Sequence, residues 1–142
     1  MKLTQTPSNK HKSGMTLLEL TVVILVLLSL ISILFIGARA WKKGADRAGC
    51  ILNIRNVQQA VRSYANMYNV NPGAALSTSS AATPPTSIAG AIIGAGLFME
   101  NTPKCPGAGT YTGLAGSSIP AVGTVAITCS VTDHVPSNVQ DW

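Results

Sequence analysis

Residues Met15–Ile36 read MTLLELTVVILVLLSLISILFI, a run of 22 mostly apolar residues that carries a single charge, the carboxylate of Glu19. About 20 apolar residues in a helix are enough to cross the hydrocarbon core of a bilayer. A charged side chain at membrane depth costs about 2.5–3.5 kcal/mol on insertion scales, so an acid there is by default a functional residue. The run therefore predicts a membrane helix in which Glu19 has a role and needs a cationic partner.

The segment before this run, residues 1–14, is a short basic leader that ends in Gly14. The whole chain has 142 residues and a formal net charge of +5. Three lysines lie in the leader, and most of the other basic residues follow the apolar run closely, where lipid headgroups would meet them. We therefore expect one small domain whose basic charge faces a membrane surface, and we expect no nucleic-acid partner.

Residues 37–70 form an amphipathic segment. Its apolar side chains recur at steps of three or four, the spacing of one stripe on an α-helix: Ile51, Ile54, Val57, Val61, Tyr64 and Tyr68. No proline lies between Met15 and Asn71. We therefore expect one continuous helix of about 80 Å from Met15 to Tyr68, at about 1.5 Å per residue.

Three glycines interrupt this helical pattern just after the apolar run, at Gly37, Gly44 and Gly49. Each lowers helix propensity by about 1 kcal/mol relative to alanine. Two interpretations stay open. The glycines are either ordinary weak positions at a membrane interface anchored by Trp41, or a segment that unwinds when subunits pack.

Residues 71–142 begin with Asn71-Pro72-Gly73, a strong turn signal, and are rich in small residues. Short apolar or β-branched runs predict ordered structure: Ile88 to Met99, Thr110 to Leu114 and Val122 to Cys129. We expect a short helix or turn near Ser87–Ala95 and a small antiparallel sheet of two or three strands packed on the helical stripe. The fold class predicted is α+β.

The cysteines and the histidine outside the leader give no motif. Cys105 and Cys129 are predicted to form a disulfide if the domain lies outside the cytoplasm, where such a bond would contribute about 3 kcal/mol. Cys50 is left over and is interpreted as a small buried apolar residue. His134 follows Asp133, and such a pair is interpreted as surface decoration. Without CxxC or another ligand set, we predict no metal, no cofactor and no enzymatic activity.

The residues Ser13-Gly14-Met15-Thr16-Leu17-Leu18-Glu19 resemble the prepilin signature of type IV pilins and type II secretion pseudopilins. The resemblance covers residues 10–36: a basic leader ending in glycine, a glutamate at the fifth place after it, and an apolar helix. The segment from Cys105 to Tyr111, followed by Cys129 and His134, looks like short proteins resembling the major pseudopilin. The resemblance implies a pilin-like fold and a role as a structural subunit.

The resemblance also implies how the chain is processed. In that family a membrane prepilin peptidase cuts after the glycine and methylates the new N-terminus, which here places the cut between Gly14 and Met15. Most members have phenylalanine after the cut, and many have a proline late in the apolar helix; this chain has Met15 and Ile36-Gly37 instead. The expected partners are other subunits of the filament, the peptidase, an inner-membrane assembly platform and lipid.

The physics of a buried charge gives Glu19 its expected partner. The free α-amino group of Met15 on a neighbouring subunit would neutralise the carboxylate and fix the axial register of the packed helices. Removing one partner of a buried pair costs about 3–5 kcal/mol. The predicted domains are the leader 1–14, the assembly helix 15–36, the amphipathic helix 37–70 and the globular region 71–142.

Alternatives to a secretion pseudopilus stay open at this stage. The same features suit the pilin of a surface or DNA-uptake pilus. In a different class, a secreted or periplasmic binding module would be cut after Ala40, because Ala38-Arg39-Ala40 imitates a signal-peptidase site. A third hypothesis is a single-pass anchor that is never cut. In the favoured interpretation the chain crosses the inner membrane once, with its C-terminal part outside the cytoplasm.

Overall fold

The computed structural model describes Gly14 and residues 16–142 of the chain. It divides into two compact units, the first ending at Arg39 and the second running from Ala40 to Trp142. The elements in chain order are α1 (Leu17–Met67), a 3₁₀ turn (Leu76–Thr78), α2 (Ile88–Ile92), β1 (Tyr111–Thr112), β2 (Thr128–Cys129) and a second 3₁₀ turn (Thr132–His134). One long N-terminal helix with a small antiparallel sheet confirms the α+β prediction.

Within the described residues, α1 is continuous through all three glycines of the exit region. A Cβ at Gly37 or Gly44 would meet nothing within 4 Å, but one at Gly49 would lie 3.0 Å from Cγ of Pro106. Gly49 therefore has a packing role that its helix propensity does not indicate, because it lets the 105–106 loop approach the helix closely. Whether the helix unwinds on assembly stays a prediction.

The C-terminus of α1 is set by Asn69, which has a φ of 53°, in the left-handed region. The N–H of Val70 donates to the carbonyl of Ala65 at 2.9 Å, the long hydrogen bond of a Schellman motif. Asparagine tolerates this conformation better than most side chains do. The helix thus ends before the predicted Asn71-Pro72-Gly73 stop, and Val70 enters the core as a buried residue.

The core of the second unit lies along the amphipathic part of α1. Of the predicted stripe, Ile54, Val57, Val61 and Tyr64 are buried, and Ile51 and Tyr68 are half-buried. The stripe is wider than predicted, since Cys50, Gln58, Ala60 and Ala65 are buried as well. The C-terminal region covers it with apolar side chains, among them Leu76, Ile88, Ile92, Ile119 and Ile127.

The sheet has only two strands of two residues each, with Tyr111 opposite Cys129 and Thr112 opposite Thr128. The predicted strand over residues 122–129 is therefore mostly irregular. The reason is Gln58 of α1, whose side chain replaces a neighbouring strand. Its Nε2 donates to the carbonyl of Thr124 at 3.1 Å, and its Oε1 accepts from the N–H of Ala126 at 2.8 Å.

The short helix α2 confirms the prediction near residues 87–95. Ser87 caps it, because its hydroxyl accepts a hydrogen bond from the N–H of Gly90 at 3.2 Å. Arg62 of α1 contacts the last part of the C-terminal region. Its guanidinium donates to the carbonyls of Pro120, Ala121 and Trp142. The C-terminal region is therefore tied to α1 at several points despite its few regular elements.

Candidate functional site

The beginning of α1 is a capping box formed by Thr16 and Glu19. The N–H of Glu19 donates to Oγ1 of Thr16 at 3.3 Å, and the N–H of Thr16 donates to Oε2 of Glu19 at 3.4 Å. These reciprocal bonds satisfy two donors that a helix start otherwise leaves free. Glu19 therefore has a structural partner within its own chain, which sequence reasoning missed although Thr16-Leu17-Leu18-Glu19 matches the S/T-x-x-E signature.

The predicted processing residues lie at the edge of the described part of the chain. Gly14 is exposed, while Met15 lies outside the described residues. The predicted cut between them and the pairing of Glu19 with the Met15 amine stay predictions. Beyond the capping box, every Leu, Ile, Val and Phe side chain from Leu17 to Ile36 is exposed. This apolar helix is long enough to cross a membrane, and none of its most apolar part is buried.

A second site lies in the domain from Ala40 to Trp142 and was not predicted. Cys50 of α1, Cys105 of the loop before β1, Cys129 of β2 and His134 of the second 3₁₀ turn meet at one point. Their potential ligand atoms all lie within 4.8 Å of one another, and all four residues are buried. The Sγ atoms of Cys105 and Cys129 are 3.7 Å apart, and Cys105 Sγ lies 3.3 Å from His134 Nδ1.

Two glycines make room for this cluster. A Cβ at Gly109 would lie 2.6 Å from the Sγ of Cys129 and 3.3 Å from that of Cys105. A Cβ at Gly107 would collide with the imidazole ring of His134. The glycines of Cys105-Pro106-Gly107-Ala108-Gly109 are therefore required for the close approach of the loop to the sulfur atoms and the ring.

Polar groups surround the sulfur atoms. The hydroxyl of Tyr111 lies 3.3 Å from Cys50 Sγ and can donate to it, while Nδ2 of Asn53 donates to that hydroxyl at 3.2 Å. The backbone of Gly107 and Gly109 also contributes to lowering the pKa of Cys105. Hydrogen-bond donors directed at sulfur favour the thiolate form, which is the form that binds metals or acts as a nucleophile.

The thiols of the cluster differ in acidity. Burial raises the pKa of Cys50 to about 12, against the lowering effect of the hydrogen bond from Tyr111. Burial also opposes ionisation of Cys105, but hydrogen bonds from His134 and the Gly109 N–H outweigh it and lower the pKa of this thiol to about 6. Burial and the hydrogen bond with Cys50 raise the pKa of Tyr111. The hydroxyl of Tyr111 therefore stays a donor at neutral pH.

The cluster corrects two sequence interpretations. His134 is not surface decoration, since only 7% of it is exposed and its ring faces Cys105. The prediction that the chain has no further metal ligands was also wrong, because Cys50 and His134 lie beside Cys105 and Cys129 as potential ligands. Cys50 is buried as predicted, but its neighbours are other potential metal ligands and the Tyr111 hydroxyl, so its surroundings are not purely apolar. The signal in the sequence was the position of Cys50 one turn before Ile54, on the buried face of the amphipathic helix.

The predicted Cys105–Cys129 disulfide stays a prediction. The structure brings the two side chains together as free cysteines. Their sulfur atoms are 3.7 Å apart, compared with about 2.05 Å in a disulfide. The arrangement is chemically open to three outcomes: a disulfide, a thiolate paired with an imidazole, or a metal ion bound by all four residues.

Comparisons with known proteins do not assign this chain to a class. No protein-family model, no curated protein and no solved structure matches it. The apolar helix with its capping box and the cysteine–histidine cluster are the features that bear on function.

Proposed function

We propose that this chain is a structural subunit of a type IV pilus-like filament, most closely a type II secretion pseudopilin, held in the inner membrane by α1 before assembly. The observation that carries the proposal is the helix from Leu17 to Ile36, whose apolar side chains are all exposed and whose first turn holds the acid Glu19. At about 1.5 Å per residue these 20 residues extend about 30 Å, the thickness of the hydrocarbon core.

Such a surface needs an apolar environment. Exposed apolar patches larger than a few hundred Å² on soluble proteins mark sites that a membrane or another protein covers. Lipid would cover this helix in the precursor, and identical helices of neighbouring subunits would cover it in a filament. One helix thus supports both storage in the membrane and assembly.

Glu19 supports assembly more specifically than the apolar surface does. Contacts among Leu, Ile and Val side chains hold helices together without fixing their axial positions. A carboxylate in the first turn would fix the register if it met the amino group that cleavage after Gly14 creates on Met15 of a neighbouring subunit. In this proposal the prepilin peptidase supplies the missing cation, so processing would precede assembly.

The terminus of the mature protein tests the proposal. The full chain is expressed in a bacterium that has a prepilin peptidase, and its N-terminus is read by sequencing and intact mass. We expect a methylated start at Met15, and we expect Gly14→Val to leave the leader attached. Gly37→Ala, a glycine substitution within α1 and far from the cut, is the control, because a Cβ there meets nothing within 4 Å, and its processing should be unchanged.

Other termini would select other functions. A start at Trp41 would identify a secreted or periplasmic module released by signal peptidase, and an intact Met1 would identify a permanent anchor. Either result contradicts the proposal. With a start at Met15, electron microscopy of sheared filaments then distinguishes a periplasmic pseudopilus from a surface pilus by whether long fibres leave the cell.

A further inference from the structure

We propose that Cys50, Cys105, Cys129 and His134 bind one Zn²⁺ ion as a structural Cys₃His site. Four buried residues of the two types that zinc prefers have ligand atoms within 4.8 Å of one another. They come from a helix, a loop, a strand and a 3₁₀ turn, so the fold brings Cys50 and Cys105 to the nearby pair Cys129 and His134. This inference is independent of the proposed filament role.

The distances match a tetrahedral site. With Zn–S bonds of about 2.3 Å and Zn–N bonds of about 2.05 Å, two sulfurs of a regular tetrahedron lie about 3.8 Å apart, and a sulfur and a nitrogen about 3.6 Å apart. The observed distances are 3.7 Å between the sulfurs of Cys105 and Cys129 and 3.3 Å between Cys105 Sγ and His134 Nδ1. The ligand atoms are at most 4.8 Å apart, so the widest pair would have to approach by about 1 Å for an ion to bind all four.

The surroundings suit a negatively charged zinc–thiolate centre. On binding, each of the three thiols would release its proton to solvent and the imidazole would bind as a neutral ligand, which leaves a net charge of −1 on the site. The Tyr111 hydroxyl faces the Cys50 sulfur at 3.3 Å, and the side-chain amide of Asn53 donates to that hydroxyl. Such outer hydrogen bonds orient ligands and stabilise metal-bound thiolates.

The chemistry of the four ligands indicates which metal binds and whether the site is structural or catalytic. Sulfur and imidazole ligands favour zinc over calcium or magnesium, which prefer oxygen. Four protein ligands fill a tetrahedral zinc ion and leave no open position for substrate water, so the site is structural. Its effect is to join Cys50 of α1 to the loop, to β2 and to the second 3₁₀ turn. The two-residue strands supply few hydrogen bonds for this purpose.

Zinc accounts for the cluster better than the two competing arrangements. A Cys105–Cys129 disulfide uses two of the four residues and leaves Cys50 and His134 beside it without a function. A catalytic pair of Cys105 and His134 needs substrate access, yet Cys105 is 8% exposed and has another sulfur 3.7 Å away. Zinc alone uses all four side chains.

The test measures metal in the full chain, purified in detergent without chelators and with thiols kept reduced. We expect one zinc per chain by inductively coupled plasma mass spectrometry, and the same stoichiometry after unfolding and refolding with Zn²⁺. Replacing Zn²⁺ by Co²⁺ should produce the visible bands of a tetrahedral ion and a sulfur-to-cobalt charge-transfer band. The intensity of that band should correspond to three thiolates, and this measurement needs no variant to fold.

Variants separate zinc from a disulfide. Cys50→Ser and His134→Gln should each lower zinc occupancy at least about tenfold, while Asp133→Asn, which changes an exposed acid beside His134, should keep one zinc per chain. Three results would overturn the proposal: no zinc and no cobalt bands in the reduced chain, unchanged zinc in both ligand variants, or, in chains isolated without reductant, an intact mass of the parent and of Cys50→Ser that shows one disulfide with no bound metal.

Discussion

Glu19 makes two separable contributions, a helix cap within one chain and a charge available to a neighbouring chain. Glu19→Gln keeps the hydrogen-bonding side chain of the capping box and removes the charge, because glutamine also serves at this position. Glu19→Ala removes both contributions. Thr16→Val removes the capping hydroxyl and keeps the charge. The three variants therefore assign any defect to one cause.

The two contributions differ in size. The capping bonds are long, 3.3 and 3.4 Å, and exposed, so their loss should cost about 0.5–1 kcal/mol, at the low end for caps. Loss of one partner of a buried charge pair costs about 3–5 kcal/mol. Loss of the capping bonds therefore raises the equilibrium constant for local opening of the helix up to about fivefold. Loss of the charge pair lowers the equilibrium constant for assembly at least about a hundredfold.

Two assays read these effects. In the detergent-solubilised full chain, hydrogen exchange should speed up at the amide of residue 16 in Glu19→Ala and at the amide of residue 19 in Thr16→Val, and at neither in Glu19→Gln. Sedimentation of filaments from cells with matched subunit levels should fail for both Glu19 variants and persist for Thr16→Val. If Glu19→Gln assembled as well as the parent chain, the charge pair would have no role and the capping box alone would explain the acid.

Three further predictions concern the folded domain and are read by urea unfolding of the full chain with zinc present. Gln58→Met should cost about 1–3 kcal/mol, because the buried N–H of Ala126 and the partly buried carbonyl of Thr124 lose their partner; a cost below about 0.5 kcal/mol would contradict the role of this amide. Gly113→Ala should cost about 1–3 kcal/mol more than Gly123→Ala: both have positive φ, but a Cβ at Gly113 would collide with the carbonyl of Ala126, whereas one at Gly123 would make an ordinary 3.9 Å contact with the carbonyl of Gln140; equal costs would refute the steric argument. Tyr64→Phe should cost about 1 kcal/mol through loss of its 2.8 Å hydrogen bond with the buried Ser79 hydroxyl, and an unchanged midpoint would show that this bond is not stabilising.

Much of the helical architecture could be predicted because its signals are local. An apolar run and a stripe at helical spacing are properties of consecutive residues, and the structure has a helix from Leu17 to Met67 with most of that stripe buried. The helix end was predicted to within one residue, Tyr68 against Met67, but the left-handed Asn69 that ends the helix was not predicted. The strand over residues 122–129 was overestimated, since Gln58, far away in sequence, takes its hydrogen bonds.

The sequence alone determined the apolar helix and the acid in its first turn, because a contiguous stretch of side chains fixes hydrophobicity and capping without help from the rest of the chain. Only the tertiary structure decided the cysteine–histidine cluster. Cys105 lies 24 residues from Cys129 and 29 from His134, and Cys50 reaches them from α1. Cys129 and His134 are five residues apart, but no spacing rule relates them to Cys50 or Cys105. Two features bring the four ligands to one point. Cys50 lies on the buried face of α1, and the glycines of the 105–109 loop allow that loop to approach closely.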